Sequence, residues 1–291
     1  MDISLGALDR AVKDEGTKFD VMREIAGAMA RDLSQASNLP AVSTRLFRMI
    51  SERTGDPDPF KKEKERCNRV ALPIAERLSK QIVRIEDPRE RVRSAALASI
   101  AGNTMDLGTS GHSFDLGNFE KEYRRTLQQG LAIDDSPKLL REARRCRTVL
   151  YLADNAGEIA FDKILVRVIS GFGPAVTVAV KGGPISNDAT LEDAAYVRMD
   201  EVGTVITTGT DHLGINLDES SDEFIRAFMS AGLVLSKGQS NLETLSFARA
   251  SMHPVAFVLK VKCAPIAQAL GARLGDNVLR VIHPGQSVSH P

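Results

Sequence analysis

The chain has 291 residues, 43% of them apolar, and its 38 Lys and Arg balance 38 Asp and Glu. A net charge of zero leaves no one-signed footprint for a nucleic-acid or anionic-membrane partner, and this apolar content excludes disorder along the whole chain. The lack of Trp and the 5% aromatic content argue against an aromatic-lined carbohydrate or single-strand groove.

At about 150 residues per domain, the length predicts two domains, and neither needs disulfide or metal staples to fold. Cys67, Cys146 and Cys263 are widely spaced and contain no CxxC pair, so a cysteine zinc site or disulfide framework is not expected. The N-terminal MDISLGALDRAVKDEG lacks a basic segment followed by an apolar one, and no apolar run approaches the length of a membrane span. A cytoplasmic location is the expectation.

Up to residue 146 the pattern is helical. Residues 17–33 place Phe19, Val21, Met22, Ile25, Ala26 and Met29 at spacings of three and four, and 44–53 repeat the habit with Leu46, Met49 and Ile50. Residues 62–85 form a long charged helix with Val70, Ile74, Leu78 and Ile82 on one stripe. Pro88 opens an Ala-rich helix over 89–101, and helices follow at 118–131 and 137–145. No strand is predicted in this half, whose helices form a bundle or a cap.

After residue 146 short apolar runs alternate with helical patterns. Strands are predicted at 148–153 (TVLYLA), 175–180 (AVTVAV), 202–207, 233–236, 255–260 and 278–282. Helices fall between them at 158–169, 190–196, 220–231, 241–249 and 265–270. Fully apolar strands in such alternation read as a parallel sheet covered on both faces. Residues 282–291 are a polar tail.

Ligands of open parallel sheets bind outside the carboxyl ends of the strands, so the residues after each strand carry the functional signal. After the first strand stand Asp154 and Asn155, two hard oxygen donors, followed by Gly157 and Glu158. The bland alternative, a helix N-cap, carries equal weight there. After the second strand, Asp188 either caps a helix or faces Asp154 and Asn155 across a cleft. Two carboxylates and an amide oxygen suit Mg²⁺ or Mn²⁺. His212, after the third strand, reads as a surface histidine. Lys237, Gly238 and Asn241 after the fourth strand make an anion cradle at a helix start, without Walker spacing. Lys260 and Lys262 follow the fifth. The turn DNAGE has one glycine where a dinucleotide fold needs GxGxxG, and Cys263 reads as a semi-buried cysteine rather than a nucleophile.

Five segments, LADNAGE (152–158), GGPISNDATLEDA (182–194), KGQSNLETL (237–245), LKVKCAPIA (259–267) and IAGNTMDLG (100–108), with DPFKKEKERCNRVAL (58–72), resemble the motif set of the metal-dependent damage-control phosphatase family. The resemblance covers about residues 15–285. It implies an α/β fold: an all-helical N-terminal domain (1–145) packed on a three-layer α/β/α domain with a mostly parallel sheet (146–291). It also implies a divalent metal (Mg²⁺, Mn²⁺, Co²⁺ or Ni²⁺) held by Asp154, Asn155 and Asp188, and a small phosphorylated metabolite as substrate. By motif, Lys262 contacts the substrate phosphate, Lys237 and Asn241 belong to the KGxxN segment, and Asn103 and Asp106 close the site from the helical half. Asp154, Glu158 and Lys262 are the expected catalytic residues. The nucleophile is a water or Asp154 itself, and Glu158 or Asp188 orients or deprotonates the water. The chain departs from the stand-alone microbial branch in lacking a CxxC near its N-terminus, and it lacks the Arg-Thr of larger eukaryotic relatives. Two other classes fit the sheet type: an S-adenosylmethionine-dependent methyltransferase, and a non-catalytic module for sugar phosphates or nucleotides. Sequence leaves the oligomeric state open.

Overall fold

A computed structural model describes residues 2–34, 38–103, 116–247 and 252–286. The described chain opens with six helices: α1 (Asp2–Ala11), α2 (Glu15–Asp32), α3 (Leu39–Thr54), α4 (Lys61–Ile82), α5 (Pro88–Gly102) and α6 (Leu116–Gln129). A short strand β1 (Ile133–Asp134) and helix α7 (Ser136–Arg145) follow. The alternating part then runs β2 (Thr148–Leu152), α8 (Glu158–Ser170), β3 (Ala175–Val180), α9 (Leu191–Tyr196), β4 (Thr204–Thr207), α10 (Asp222–Ser230), β5 (Leu233–Lys237), α11 (Gln239–Phe247), β6 (Val255–Lys260), α12 (Ala264–Leu270) and β7 (Asn277–Ile282). No helix among the described residues is long and apolar enough to cross a membrane.

The seven strands form one sheet in the order β1-β7-β6-β5-β2-β3-β4. Every neighbouring pair is parallel except β6 and β7, which run antiparallel with Val255 opposite Ile282. Alternate side chains feed opposite faces, as the pleat requires. Val149 and Tyr151 join a cluster with α4, α5, α7 and α8, whereas Leu150 and Leu152 join one with α10, α11 and α12. The result is three layers, helix on sheet on helix. α8 is apolar on nearly every side because it is enclosed by the sheet beneath and by α4 and α5 above. Residues on both sides of position 145 therefore share one apolar cluster. A third cluster, built from α1, α2 and α3, meets Ile185 and Leu213 from the loops after β3 and β4.

Two elements escaped the sequence reading. The strand Ile133–Asp134 is two residues long and polar at one position, so it carries no periodicity; its order comes from pairing with Val278 and Leu279. The helix Asp2–Ala11 lies ahead of the first stripe that was read. α4 stops at Ile82, three residues before the expected end, and keeps Pro73 within its length. Residues 287–291 of the polar tail lie outside the described residues.

α5 crosses α8 so closely that a Cβ on Gly102 would stand 2.8 Å from Phe161 Cδ2. Gly102→Val therefore overpacks this crossing. It is expected to cost about 1–3 kcal/mol, read as a lowered midpoint in denaturant unfolding.

Candidate active site

From β2 the chain builds β3 and β4 on one side and β5, β6 and β7 on the other. The strand order therefore reverses between β2 and β5, the place where open α/β sheets bind ligands. A cavity of about 470 Å³ opens there. Asp154 and Asn155 line it from the β2–α8 turn, Glu158 from the start of α8, Asp188 from the β3–α9 loop, Asn103 from the end of α5, Lys260 from the end of β6 and Lys262 from just beyond it.

Backbone bonds lock the two acidic loops together. Ala156 N–H donates to Asn187 C=O at 2.9 Å, Ala189 N–H donates to Asp154 C=O at 2.8 Å, and Asn155 and Asp188 pair as an isolated antiparallel bridge. Two glycines make the close approach possible. Gly157 has φ +76°, and a Cβ on it would lie 2.7 Å from Cys67 Cβ on α4. Gly238 has φ +78°, and a Cβ there would collide with the Asp154 carboxylate. Asn68 on α4 completes the clamp. Its Oδ1 accepts from Gly157 N–H at 2.7 Å, and its Nδ2 donates to Asp193 Oδ1 at 2.6 Å.

Asn155 Nδ2 donates to Asp154 Oδ2 at 2.9 Å and to Glu158 Oε2 at 3.0 Å. Asn103 Nδ2 donates to the same Glu158 Oε2 at 2.6 Å. Glu158 Oε1 accepts from Lys237 Nζ. Lys237 also lies 3.6 Å from Asp162 Oδ1, which accepts from Ser99 Oγ at 2.6 Å. Lys237, Glu158, Asp162 and Ser99 are all fully buried, beside the buried Tyr151. Across the site, Lys181 stands 3.6 Å from Asp188 Oδ2 and donates to the carbonyls of His212 and Gly214.

Electrostatics follow from this crowding. Burial, then the charges of Glu158 and Asp188, push the Asp154 carboxyl well above the usual carboxylate range, against the opposing pull of Lys237 and Lys262. Burial also raises Asp162, to about 7. For Lys237 burial alone would favour the neutral amine, but Glu158 and Asp162 outweigh it and hold the ammonium above its ordinary value. Burial lowers the Lys181 pKa against the pull of Asp188.

The structure thus gathers Asp154, Asn155, Glu158, Asp188, Asn103 and Lys262 around one cavity. Lys237 and Asn241 do not line it. Lys237 lies beneath the floor, bonded to Glu158, and the Asn241 amide donates to the carbonyls of Ala153 and Lys237, tying the ends of β2 and β5 together. Lys237 is expected in an anion cradle at the helix start, but it has no exposure at all, because the carboxylates of α8 reach it from above the sheet. His212 is likewise buried rather than on the surface, with Nδ1 2.6 Å from Leu213 C=O. Asp106 lies outside the described residues. Lys181, Asp162, Ser99 and Asn68 were missed. Asp162 did carry a signal, being a carboxylate one helical turn after Glu158 in an otherwise largely apolar helix. Two carboxylates and an amide, Asp154, Asp188 and Asn155, are the side chains able to hold a cation. Among the described residues no group of three His, Cys, Asp or Glu is assembled as a metal site.

Residues 4–278 match the model of the damage-control phosphatase ARMT1-like domain. An uncharacterised protein of Methanocaldococcus jannaschii is 38% identical, covering 94% of this chain and 90% of its own length. A damage-control phosphatase of Archaeoglobus fulgidus is 37% identical, with 92% and 91% covered. The crystal structure of the DUF89 family protein PH1575 from Pyrococcus horikoshii superposes with a TM-score of 0.84 at 31% identity, over 94% of this chain and 93% of that one.

Two outcomes follow from the buried charges. Lys237→Met leaves Glu158 buried without its cation and is expected to cost about 3–5 kcal/mol in denaturant unfolding. Because folding raises the Asp162 pKa above its unfolded value, the carboxylic acid is stabilising below pH about 4, and that contribution is lost as pH rises through about 7. Asp162→Asn should flatten this decline in a pH series of unfolding curves.

Proposed function

Since the chain belongs to the damage-control phosphatase ARMT1-like family, we propose that it is a cytoplasmic, divalent-metal-dependent phosphatase of small phosphorylated metabolites, acting on their monoesters. The observation that carries this reading is the crowding of Asp154, Glu158 and Asp188 beside an exposed lysine, Lys262. Carboxylates so close repel one another and any phosphate. A cation among them removes both penalties. The donor set fits: Asn155 spends its NH₂ on Asp154 and Glu158, which leaves its amide oxygen to join the Asp154 and Asp188 carboxylates as hard oxygen donors. Mg²⁺ and Mn²⁺ suit such oxygens best, and Co²⁺ or Ni²⁺ can replace them.

A divalent cation bound by Asp154, Asn155 and Asp188 supplies positive charge for the phosphoryl oxygens as the P–O bond breaks. The chain's own groups do the rest. Lys262, at the cavity mouth and within electrostatic reach of Asp154, binds phosphoryl oxygens beside the acids, with Lys260 nearby. Both Glu158 oxygens are already engaged, one by Lys237 and the other by Asn103 and Asn155. This makes Glu158 a positioning residue that holds the two amides, and through them the Asp154 carboxylate, rather than a free base. Lys237 acts beneath it and does not reach substrate. The single glycine in residues 154–158 offers S-adenosylmethionine no glycine-rich cradle, so methyl transfer is the weaker reading.

The test is hydrolysis of a phosphomonoester panel by protein stripped with chelator, then supplied with Mg²⁺, Mn²⁺, Co²⁺ or Ni²⁺. Activity is expected only with metal. Asp154→Ala and Asp188→Ala, verified as folded by circular dichroism, should lose about 100-fold or more and should no longer bind Mn²⁺ in calorimetry. A folded Asp154→Ala protein that keeps metal-dependent hydrolysis overturns the assignment.

A further inference from the structure

Resting on the phosphatase reading, we propose that Phe47, with Ser186, is a partition that limits how large an alcohol portion the active site accepts. Lys262 stands within electrostatic reach of Asp154, so a bound phosphate lies beside these charges and its alcohol portion extends towards a wall that carries none of them. That wall is α3, which presents Leu39, Pro40, Ser43 and Phe47. Beyond it lies a second, larger cavity of about 650 Å³, with Arg48, Asp58, Asp211 and Glu219 in its lining. Phe47 and Ser186 are the two residues that line both cavities.

The partition is braced. Phe47 is 8% exposed and meets Phe60 edge-on, ring centroids 6.3 Å apart. The next residue, Arg48, is pinned by Asp211 and by Glu219 at 2.6 Å, and Thr44 Oγ1 accepts from Leu213 N–H at 3.0 Å. α3 is thus fixed to the loop after β4, and the helix that carries the ring cannot shift as a body without breaking these ties. Ser186 holds φ +47°, a left-handed conformation that glycine adopts more readily. With the wall in place, a short polyol phosphate fits and a long or bulky one does not. With it removed, the alcohol portion extends into the polar neighbouring cavity.

The experiment compares kcat/KM for glycerol 3-phosphate and adenosine monophosphate in the wild type, Phe47→Ala, Phe47→Tyr and Ser186→Gly, each checked by circular dichroism. The wild type should favour the small ester. Phe47→Ala should narrow that preference by about tenfold or more, Ser186→Gly should narrow it in the same direction, and Phe47→Tyr should keep it. Ser186→Gly relieves a strained backbone, so it keeps the question open if Phe47→Ala fails to fold. The same comparison by calorimetric binding to Asp154→Asn protein needs no turnover. A shifted binding ratio beside a metal-supplied wild type that hydrolyses no phosphomonoester retains the partition and rejects the phosphatase reading. An unchanged ratio in the folded variants, or a wild type indifferent to the two esters, overturns the partition.

Discussion

Lys237 has no contact with water, and two carboxylates on α8, those of Glu158 and Asp162, face it from the helix layer. Removing three ionisable groups from solvent costs several kcal/mol for each ion, and mutual attraction repays this only where geometry and further hydrogen bonds are good. Here several of the additional bonds are present, while Asp162 Oδ2 and the Tyr151 hydroxyl stay without a hydrogen-bond partner among the described residues. Ser99 satisfies one Asp162 oxygen, and Asn103 and Asn155 satisfy the second Glu158 oxygen. The arrangement fixes where α8 sits over β5. It also fixes Asn155 and, through it, Asp154. The visible acids of the cavity are therefore the upper end of a polar column whose lower end lies among Ser99 and Tyr151 in the largest apolar cluster.

The same column explains why residues from the helical half are needed. Ser99 and Asn103 both come from α5, one turn apart, and touch the lower and upper parts of it. Asn68 reaches from α4 to the Gly157 amide and to Asp193. These are directional bonds into buried positions, where an unpaired partner would cost about 1–3 kcal/mol. They set the register between the helices above and the turn below more sharply than apolar packing alone could.

The inner strands were legible because each is built around a short apolar run: β3 and β6 coincide with the residues read from the sequence, and β2 differs by one. The acidic loops were legible because hard oxygen donors cluster at the carboxyl ends of those strands. What sequence could not deliver was depth. Lys237 looks like an anion-binding residue and His212 like a surface one in a linear reading, since nothing local tells which layer will cover a strand end. Lys237 is covered by α8, and the loop that carries His212 is tied to α3 through Leu213 and Thr44; both helices are distant in sequence. Pairing of Ile133 with Val278 had no local trace for the same reason.

Enclosure of α8 between the sheet and the α4–α5 pair also bears on how the protein is made. During synthesis α4 and α5 leave the ribosome well before β2, β3 and β5, which complete the layer beneath α8. Until those strands arrive, α5 has α4 and then α7 and α8 to pack against, but the apolar face that α8 turns towards the sheet is largely uncovered. The nascent chain thus passes through a stage with a sticky, half-built layer, and its yield in the cell depends on how quickly the later strands are delivered or on a chaperone shielding that face meanwhile.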